Sequence, residues 1–391
     1  MRVLVSCSSR VDQGSGILAY SKNLVECYLN SGYEVAFVFE SSENHEWCQR
    51  EKLTIYETNS SEDDKTETQN LIKFIESYNP DVVINNDHCY LQALAPVIKV
   101  PFLFVLHLGA TSILSLAKIN QDYVDAYIAI TSDMKFDFQK LGIKSHKIHV
   151  VLNGLNAPFY EKHQSNNEEM HILFSGENTR RKGADKFIKM INTNKFDNCV
   201  FHWTGGSKVK DKYEAQLNRN NKVVIYDRLA KKEFYELMYS CDVFLMPSRN
   251  EGLPIALLEA MGHGLVPIAS NARGAMKEVI CHSENGYLCD ISKWESEAAD
   301  LMHYLTINTK HLDSMKKQSL LMANQNYLNG MYASKILGVA NSINKVDTLE
   351  EVECYYCWHR PSSSGVTNLI VRLSNSFKIR TGLILPYKGR R

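Results

Sequence analysis

Short apolar runs recur along the chain, and each is followed by a stretch patterned for a helix. RVLVSC, YEVAFVF, DVVINN, PFLFVLH, AYIAI and IHVVLN occupy the first part, and HILFSG, CVFHWTGG, KVVIYD, DVFLMPS and LVPIAS the second. Runs of this kind, alternating with helices, predict parallel sheets covered on both faces. The first helix is expected over 21–31. At 391 residues the chain exceeds one ordinary core and suits two such domains.

Between the two series lies EKHQSNNEEM, ten residues with almost nothing to bury. The expected organisation is therefore a Rossmann-like domain over 1–155, a linker over 156–170 and a second Rossmann-like domain over 171–330. A helix over 331–346 is able to pack back on the first domain, and 347–391 forms a tail. The polar stretch SSEDDKTETQN, 60–70, reads as a solvated loop.

Lys plus Arg balance Asp plus Glu at 44 each, so no global field argues for nucleic acid or an acidic polymer. The ten cysteines are scattered, several within apolar runs, a reduced cytosolic pattern. No stretch approaches the roughly 18 to 20 apolar residues of a membrane span, and the opening MRVLVSCSS reads as an interior first strand. From Cys354 onward the tail has no Asp or Glu but carries Arg360, Arg372, Lys378, Arg380, Lys388, Arg390 and Arg391 among apolar residues. Such a segment either docks on the protein with its charges solvated or lies on anionic lipid.

The most informative stretch is PSRNEGLPIALLEAMGHGLVPIAS, 247–270. Glycine followed by Pro254 marks a loop entering a helix, with proline suited to the first turn. The free amides of residues 252–256 are then expected to face whatever precedes the helix, an arrangement suited to a phosphate with Glu251 at its mouth. Glu259 falls in the second turn among Ile255–Leu258, Ala260 and Met261, where a carboxylate needs partners. Paired ribose hydroxyls supply them in dinucleotide folds; a structural salt bridge is the other solution.

This spacing resembles the signature of the retaining glycosyltransferases of family 4, two-lobed enzymes of the GT-B fold, in which two glutamates separated by seven residues precede EAM. VVLNGLN (150–156), GENTRRKGADKFI (176–188), GSG (14–16) and FVLHLGA (104–110) resemble further elements of that family, in order. The resemblance implies that Glu259 holds the ribose, that Glu251 contacts the donor sugar, and that Gly252 and Leu253 present amides near the diphosphate before Pro254, with Ser248 in the turn leading in. It also implies that Lys182 neutralises the diphosphate, that His107 lies beside the transferred sugar, and that Gly16 lets the backbone approach phosphate or acceptor. His107 also has a plainer reading, as a hydrogen-bonded histidine at a strand end.

One position departs from the family pattern: Glu177 stands where an arginine is usual, so either Arg181 or Arg180 supplies the second cation or the leaving group is less well neutralised than usual. The chain has no Asp-x-Asp pair of the kind that holds a metal against a sugar nucleotide. Lys182, an arginine and the helix after Pro254 are left to meet the charge on the leaving diphosphate, and no metal or cofactor is expected. Retention in the family is attributed to same-face attack, which makes Glu251 a positioning group rather than the nucleophile of retaining glycosidases.

A UDP-sugar leads as donor, with GDP-mannose as rival, and Arg228 beside Asp227 is the candidate base contact. The expected activity is hexosyl transfer to a glycan or glycolipid in cell-surface polysaccharide synthesis, in the cytoplasm or on the inner face of the membrane. A silent nucleotide-sugar-binding scaffold and a sugar-nucleotide epimerase are the alternatives; the first would bind without turnover, the second would act without acceptor. CYYCWH, 354–359, offers one Cys-x-x-Cys pair and a histidine, short of the four ligands of a structural zinc.

Overall fold

A computed structural model describes residues 1–10, 16–40, 46–58, 64–107, 111–155, 169–176, 180–205, 214–217, 220–227, 229–327 and 330–349. The chain divides into two compact units, Met1–Leu152 with the described residues from Tyr332 onward, and Asn153–Met331.

In the first unit β1 (Arg2–Arg10), β2 (Glu34–Glu40), β3 (Thr54–Thr58), β4 (Val82–Asn85), β5 (Phe102–Leu106), β6 (Ala126–Ala129) and β7 (Ile148–Val150) form a parallel sheet in the order β3-β2-β1-β4-β5-β6-β7. β4, β5 and β6 are buried along their whole length, which is why they read as unbroken apolar runs. The helix Met331–Ser342 belongs to this core: Tyr332, Ala333, Ile336 and Leu337 are buried with the strands, and Tyr28 Oη donates to the Ala333 carbonyl at 3.3 Å. The segment after it is tied down. Lys345 Nζ lies 2.8 Å from Asp125 Oδ2, the Val346 amide donates to Asp125 Oδ1 at 2.8 Å, and the Leu349 amide donates to the Pro96 carbonyl.

In the second unit β8 (Met170–Ser175), β9 (Cys199–Thr204), β10 (Lys222–Tyr226), β11 (Val243–Met246), β12 (Val266–Ser270) and β13 (Tyr287–Cys289) are parallel in the order β10-β9-β8-β11-β12-β13. Phe174, Phe187, Trp203 and Trp294 fill its core. Each sheet reverses its strand order once, between β1 and β4 and between β8 and β11. Ligands of open α/β sheets bind outside the carboxyl ends of the strands at such a switch point.

Several local expectations are corrected. The polar stretch 60–70 is helical from Asp64, in Asp64–Tyr78, because Glu67 and Thr68 are buried and Tyr56 Oη donates to Glu67 Oε1 at 2.9 Å. The first helix runs Gly16–Asn30 rather than 21–31, since Leu18 and Tyr20 already face the core. Pro254 is the N-cap of Ile255–Gly262, one place before the first helical residue. β3 and β13, absent from the apolar runs, lie at sheet edges, and β3 is only half buried.

Candidate active site

The loop after β8 and the loop after β11 meet at the second switch point. The Arg249 amide donates to the Arg181 carbonyl at 2.8 Å, and Arg249 Nη1 to the Arg180 carbonyl at 2.6 Å. Arg249 also grips Asp185 with both guanidinium nitrogens at 2.7 Å, which holds that carboxyl below its usual range. The approach leaves no room for a side chain at Gly183. Its φ is +76°, and a Cβ there would stand 2.1 Å from the Pro247 carbonyl oxygen. Gly274, at φ +132°, is constrained likewise: a Cβ there would stand 2.3 Å from the Glu251 carbonyl oxygen.

This docking brings together three residues marked in the sequence. Glu251 is 7% exposed; its Oε1 lies 2.8 Å from Lys182 Nζ and its Oε2 lies 3.0 Å from Arg181 Nη1. A carboxylate that buried is tolerable only with both oxygens matched by charge. Two cations on one carboxylate leave the cluster one positive charge in excess, at the foot of a helix. Lys182 is 22% exposed and Arg181 42%, so both cations reach the surface that Glu251 does not.

Beyond Glu251 the chain turns through Gly252, Leu253 and Pro254 into Ile255–Gly262. Among the described residues nothing accepts from the amides of Gly252, Leu253, Ile255 and Ala256. The Leu253 carbonyl is pinned by Asn153 Nδ2 at 2.8 Å, and the Ala275 amide donates to the Gly252 carbonyl at 3.0 Å. These bonds fix the turn through its carbonyls, and the first turn of the helix carries no acidic residue to compete with an anion. Ser248 is buried at the end of β11, and its carbonyl accepts from the Ser270 hydroxyl.

Glu259 lies one turn further, half-buried, with Oε1 accepting from Tyr235 Oη at 2.8 Å. Burial raises its pKa, and the Tyr235 hydrogen bond and the Lys231 charge oppose that rise. Oε2 has no partner among the described residues. In place of a salt bridge, a tyrosine partner satisfies one oxygen of Glu259.

His107 and Gly16 belong to the first unit. His107 follows β5, is 8% exposed, bonds Asn86 Oδ1 through Nε2 at 2.9 Å and meets the Tyr20 ring edge-on. Burial pushes its pKa down to about 3, so it is neutral at pH 7. Among the described residues, no atom lies within 4 Å of where a Cβ on Gly16 would stand. Arg180 is exposed and contributes its carbonyl to Arg249. Arg228, Glu177 and the tail 351–391 lie outside the described residues; Asp227 is exposed.

Arg249, Asp185, Tyr235 and Asn86 are not singled out by the sequence, and Asn153 stands out only as part of VVLNGLN. Their partners stand 21 to 100 positions away, and no local spacing encodes such contacts. Among the described residues no three His, Cys, Asp or Glu side chains are grouped to hold a metal ion, and no helix is long and apolar enough to cross a membrane.

Two parallel-sheet units, one with cations and free amides gathered at its switch point, define a Rossmann-like protein equipped for a phosphorylated ligand. The family model described as Glycosyltransferase Family 4 matches residues 14–157, and the one described as Glycosyl transferases group 1 matches 158–321. The chain belongs to the family 4 glycosyltransferases, with the GT-B fold. HepE from Anabaena, solved in complex with UDP and glucose, has the same fold: TM-score 0.72 over 88% of this chain and 100% of that one, at 14% identity.

Two curated relatives match more locally. An uncharacterized 41.2 kDa protein in the cps region of Klebsiella pneumoniae is 29% identical over 187 residues, 46% of this chain and 50% of that protein. The N,N'-diacetylbacillosaminyl-diphospho-undecaprenol alpha-1,3-N-acetylgalactosaminyltransferase of Campylobacter jejuni is 24% identical over 179 residues, 42% of this chain and 47% of that enzyme. The chain thus spans about half the length of these two relatives.

Proposed function

We propose that the protein transfers a hexosyl unit from a nucleotide diphosphate sugar, with a UDP-sugar as donor, to a glycan or glycolipid in cell-surface polysaccharide synthesis. The reaction proceeds with retention and without a metal. The observation that carries this reading is the pairing of Lys182 and Arg181 on the buried Glu251, beside four free amides. Charge that develops on a departing diphosphate is met there by fixed donors, the largest single contribution to many enzymic rates. Glu251 positions the cations, and Glu259, steadied by Tyr235, offers Oε2 to a ribose hydroxyl. The UDP and glucose bound by HepE, and the diphospho-undecaprenol named in the Campylobacter enzyme, support the donor and acceptor classes.

The test is donor turnover in EDTA against UDP- and GDP-sugars with lipid-linked and soluble glycan acceptors, with the product anomer read by NMR. Transfer with the donor's anomeric configuration kept, and lost in Lys182→Ala, is the expected result. Absolute dependence on added magnesium, or an inverted product, overturns the corresponding part. Nucleotide binding without turnover favours a scaffold; conversion of the donor without acceptor favours an epimerase.

Contact of the tail with the cytoplasmic membrane face belongs to the same proposal, because the chain from Cys354 onward carries Lys and Arg but no Asp or Glu. Sedimentation with anionic vesicles that persists after truncation at residue 350 contradicts it.

A further inference from the structure

The ends of β1, β4 and β5 in the first unit carry a chain of hydrogen bonds with a fixed direction. The Ser6 hydroxyl donates to Asn85 Oδ1 at 2.9 Å and accepts from the Asn86 amide at 3.1 Å. Asn85 Nδ2 donates to Gln92 Oε1 at 3.0 Å and to the His88 carbonyl at 3.2 Å. Asn86 Nδ2 donates to the Ser6 carbonyl at 2.8 Å, so its other atom, Oδ1, is the one 2.9 Å from His107 Nε2. A carbonyl oxygen only accepts, so the proton of the neutral imidazole must sit on Nε2. Nδ1 is then a bare acceptor, and it meets no donor among the described residues.

The geometry points to Asn86 as a positioning residue that holds His107 as the Nε2–H tautomer, so that Nδ1 accepts a hydrogen bond from a sugar hydroxyl. This deepens the proposed function and rests on it for the substrate class. The hydroxyl comes from the donor sugar or from the acceptor glycan, which share this chemistry.

Tyr20 on the helix Gly16–Asn30 meets the His107 ring, Tyr332 on the helix Met331–Ser342 packs on Tyr20, and Asp87 and His88 follow Asn86 in the chain. Burial alone raises the Asp87 carboxyl and lowers His88 to about 4; it also dominates the rise of both tyrosines. Tyr20, Tyr332 and His88 are neutral at pH 7, and burial favours the protonated form of Asp87. Both oxygens of Asp87 are buried without a hydrogen-bond partner, as a neutral acid tolerates better than an ion.

The experiment is a long-range 1H–15N spectrum of the full chain labelled at histidine, with His107 assigned by loss of its signals in His107→Gln. Nδ1 is expected at a pyridine-type shift and Nε2 at a pyrrole-type shift from pH 7 down to about pH 4, and Nδ1 should move when donor or acceptor sugar is added. Asn86→Asp keeps an acceptor on Nε2 and adds a negative charge. The tautomer should persist while His107 titrates at higher pH, giving transfer a new acid limb. Asn86→Leu should mix the tautomers and lower transfer about tenfold, the worth of one well-placed hydrogen bond, with UDP binding unchanged as proof of folding.

Loss in donor hydrolysis as well as transfer identifies a donor hydroxyl, and loss in transfer alone an acceptor hydroxyl. A proton on Nδ1 in the wild type, or mixed tautomers in Asn86→Leu with undiminished transfer, overturns the proposal. Should the wild type show no transfer at all, the functional reading fails, while the tautomer and the response of Nδ1 to sugar still decide this one.

Discussion

At the switch point of the first sheet the polar side chains are neutral, whereas at that of the second they are charged. Ser6, Asn85, Asn86 and His107 form a run of uncharged donors and acceptors, in which burial keeps His107 neutral. Glu251, Lys182 and Arg181 form an ionic cluster whose carboxylate is buried and whose cations reach the surface. The two sheets share a topology, so the contrast is written in side chains rather than in fold. A neutral network suits the hydroxyls of a sugar, whose groups carry no charge to reward an ion. An ionic cluster with free amides suits a diphosphate.

The contrast can be broken most forcefully at its charged end. Lys182→Ala removes one of the two cations paired with Glu251, and on the proposed function transfer should fall by about 100- to 1,000-fold. A loss confined to donor KM, with kcat intact, would mean that the lysine serves binding alike in ground and transition states.

Acid probes the neutral end. His107 and His88 titrate near 6.5 in an unfolded chain but at about 3 and about 4 in the fold. As pH falls below 6.5 the unfolded state takes up protons first. The stability that these neutral imidazoles contribute is therefore complete above that pH and is lost progressively down to about 4 and about 3. An unfolding free energy, read by denaturant titration, that falls by a few kcal/mol, roughly, between pH 7 and 4, and falls less in His88→Gln, is the expected observation.

Gly183→Ala tests the docking of the two phosphate-side loops. Its Cβ would collide with the Pro247 carbonyl at a left-handed φ, so about 2 kcal/mol or more of stability should disappear, read as a lower thermal midpoint. Tyr235→Phe is the mildest change. It frees Glu259 Oε1 and should raise donor KM about fivefold, the worth of roughly 1 kcal/mol, while narrowing the preference for ribose over 2'-deoxyribose nucleotides.

What could be read from the sequence follows from which interactions are local. Central strands are buried on both faces and announce themselves as apolar runs, while β3, half-exposed at an edge, mixes polar and apolar residues. The spacing of Glu251 and Glu259 is legible because one turn and one helix carry both. The partners that orient them are not: Tyr235 reaches Glu259, Asn153 reaches Leu253 and Asp185 reaches Arg249 only after the sheet has assembled. Asn86 likewise gains meaning from β5 lying beside β4. The polar start of the Asp64–Tyr78 helix was misread because Glu67 is buried against a tyrosine on another element.

The most direct test of the charged site is a calorimetric titration of the full chain with UDP, UMP and uridine in EDTA. Affinity should fall stepwise from UDP to uridine, and the advantage of UDP should collapse in Lys182→Ala with uridine binding unchanged. Equal affinity for UDP and uridine, or UDP binding that appears only when magnesium is restored, would contradict a diphosphate site built from Lys182, Arg181 and the amides before Ile255.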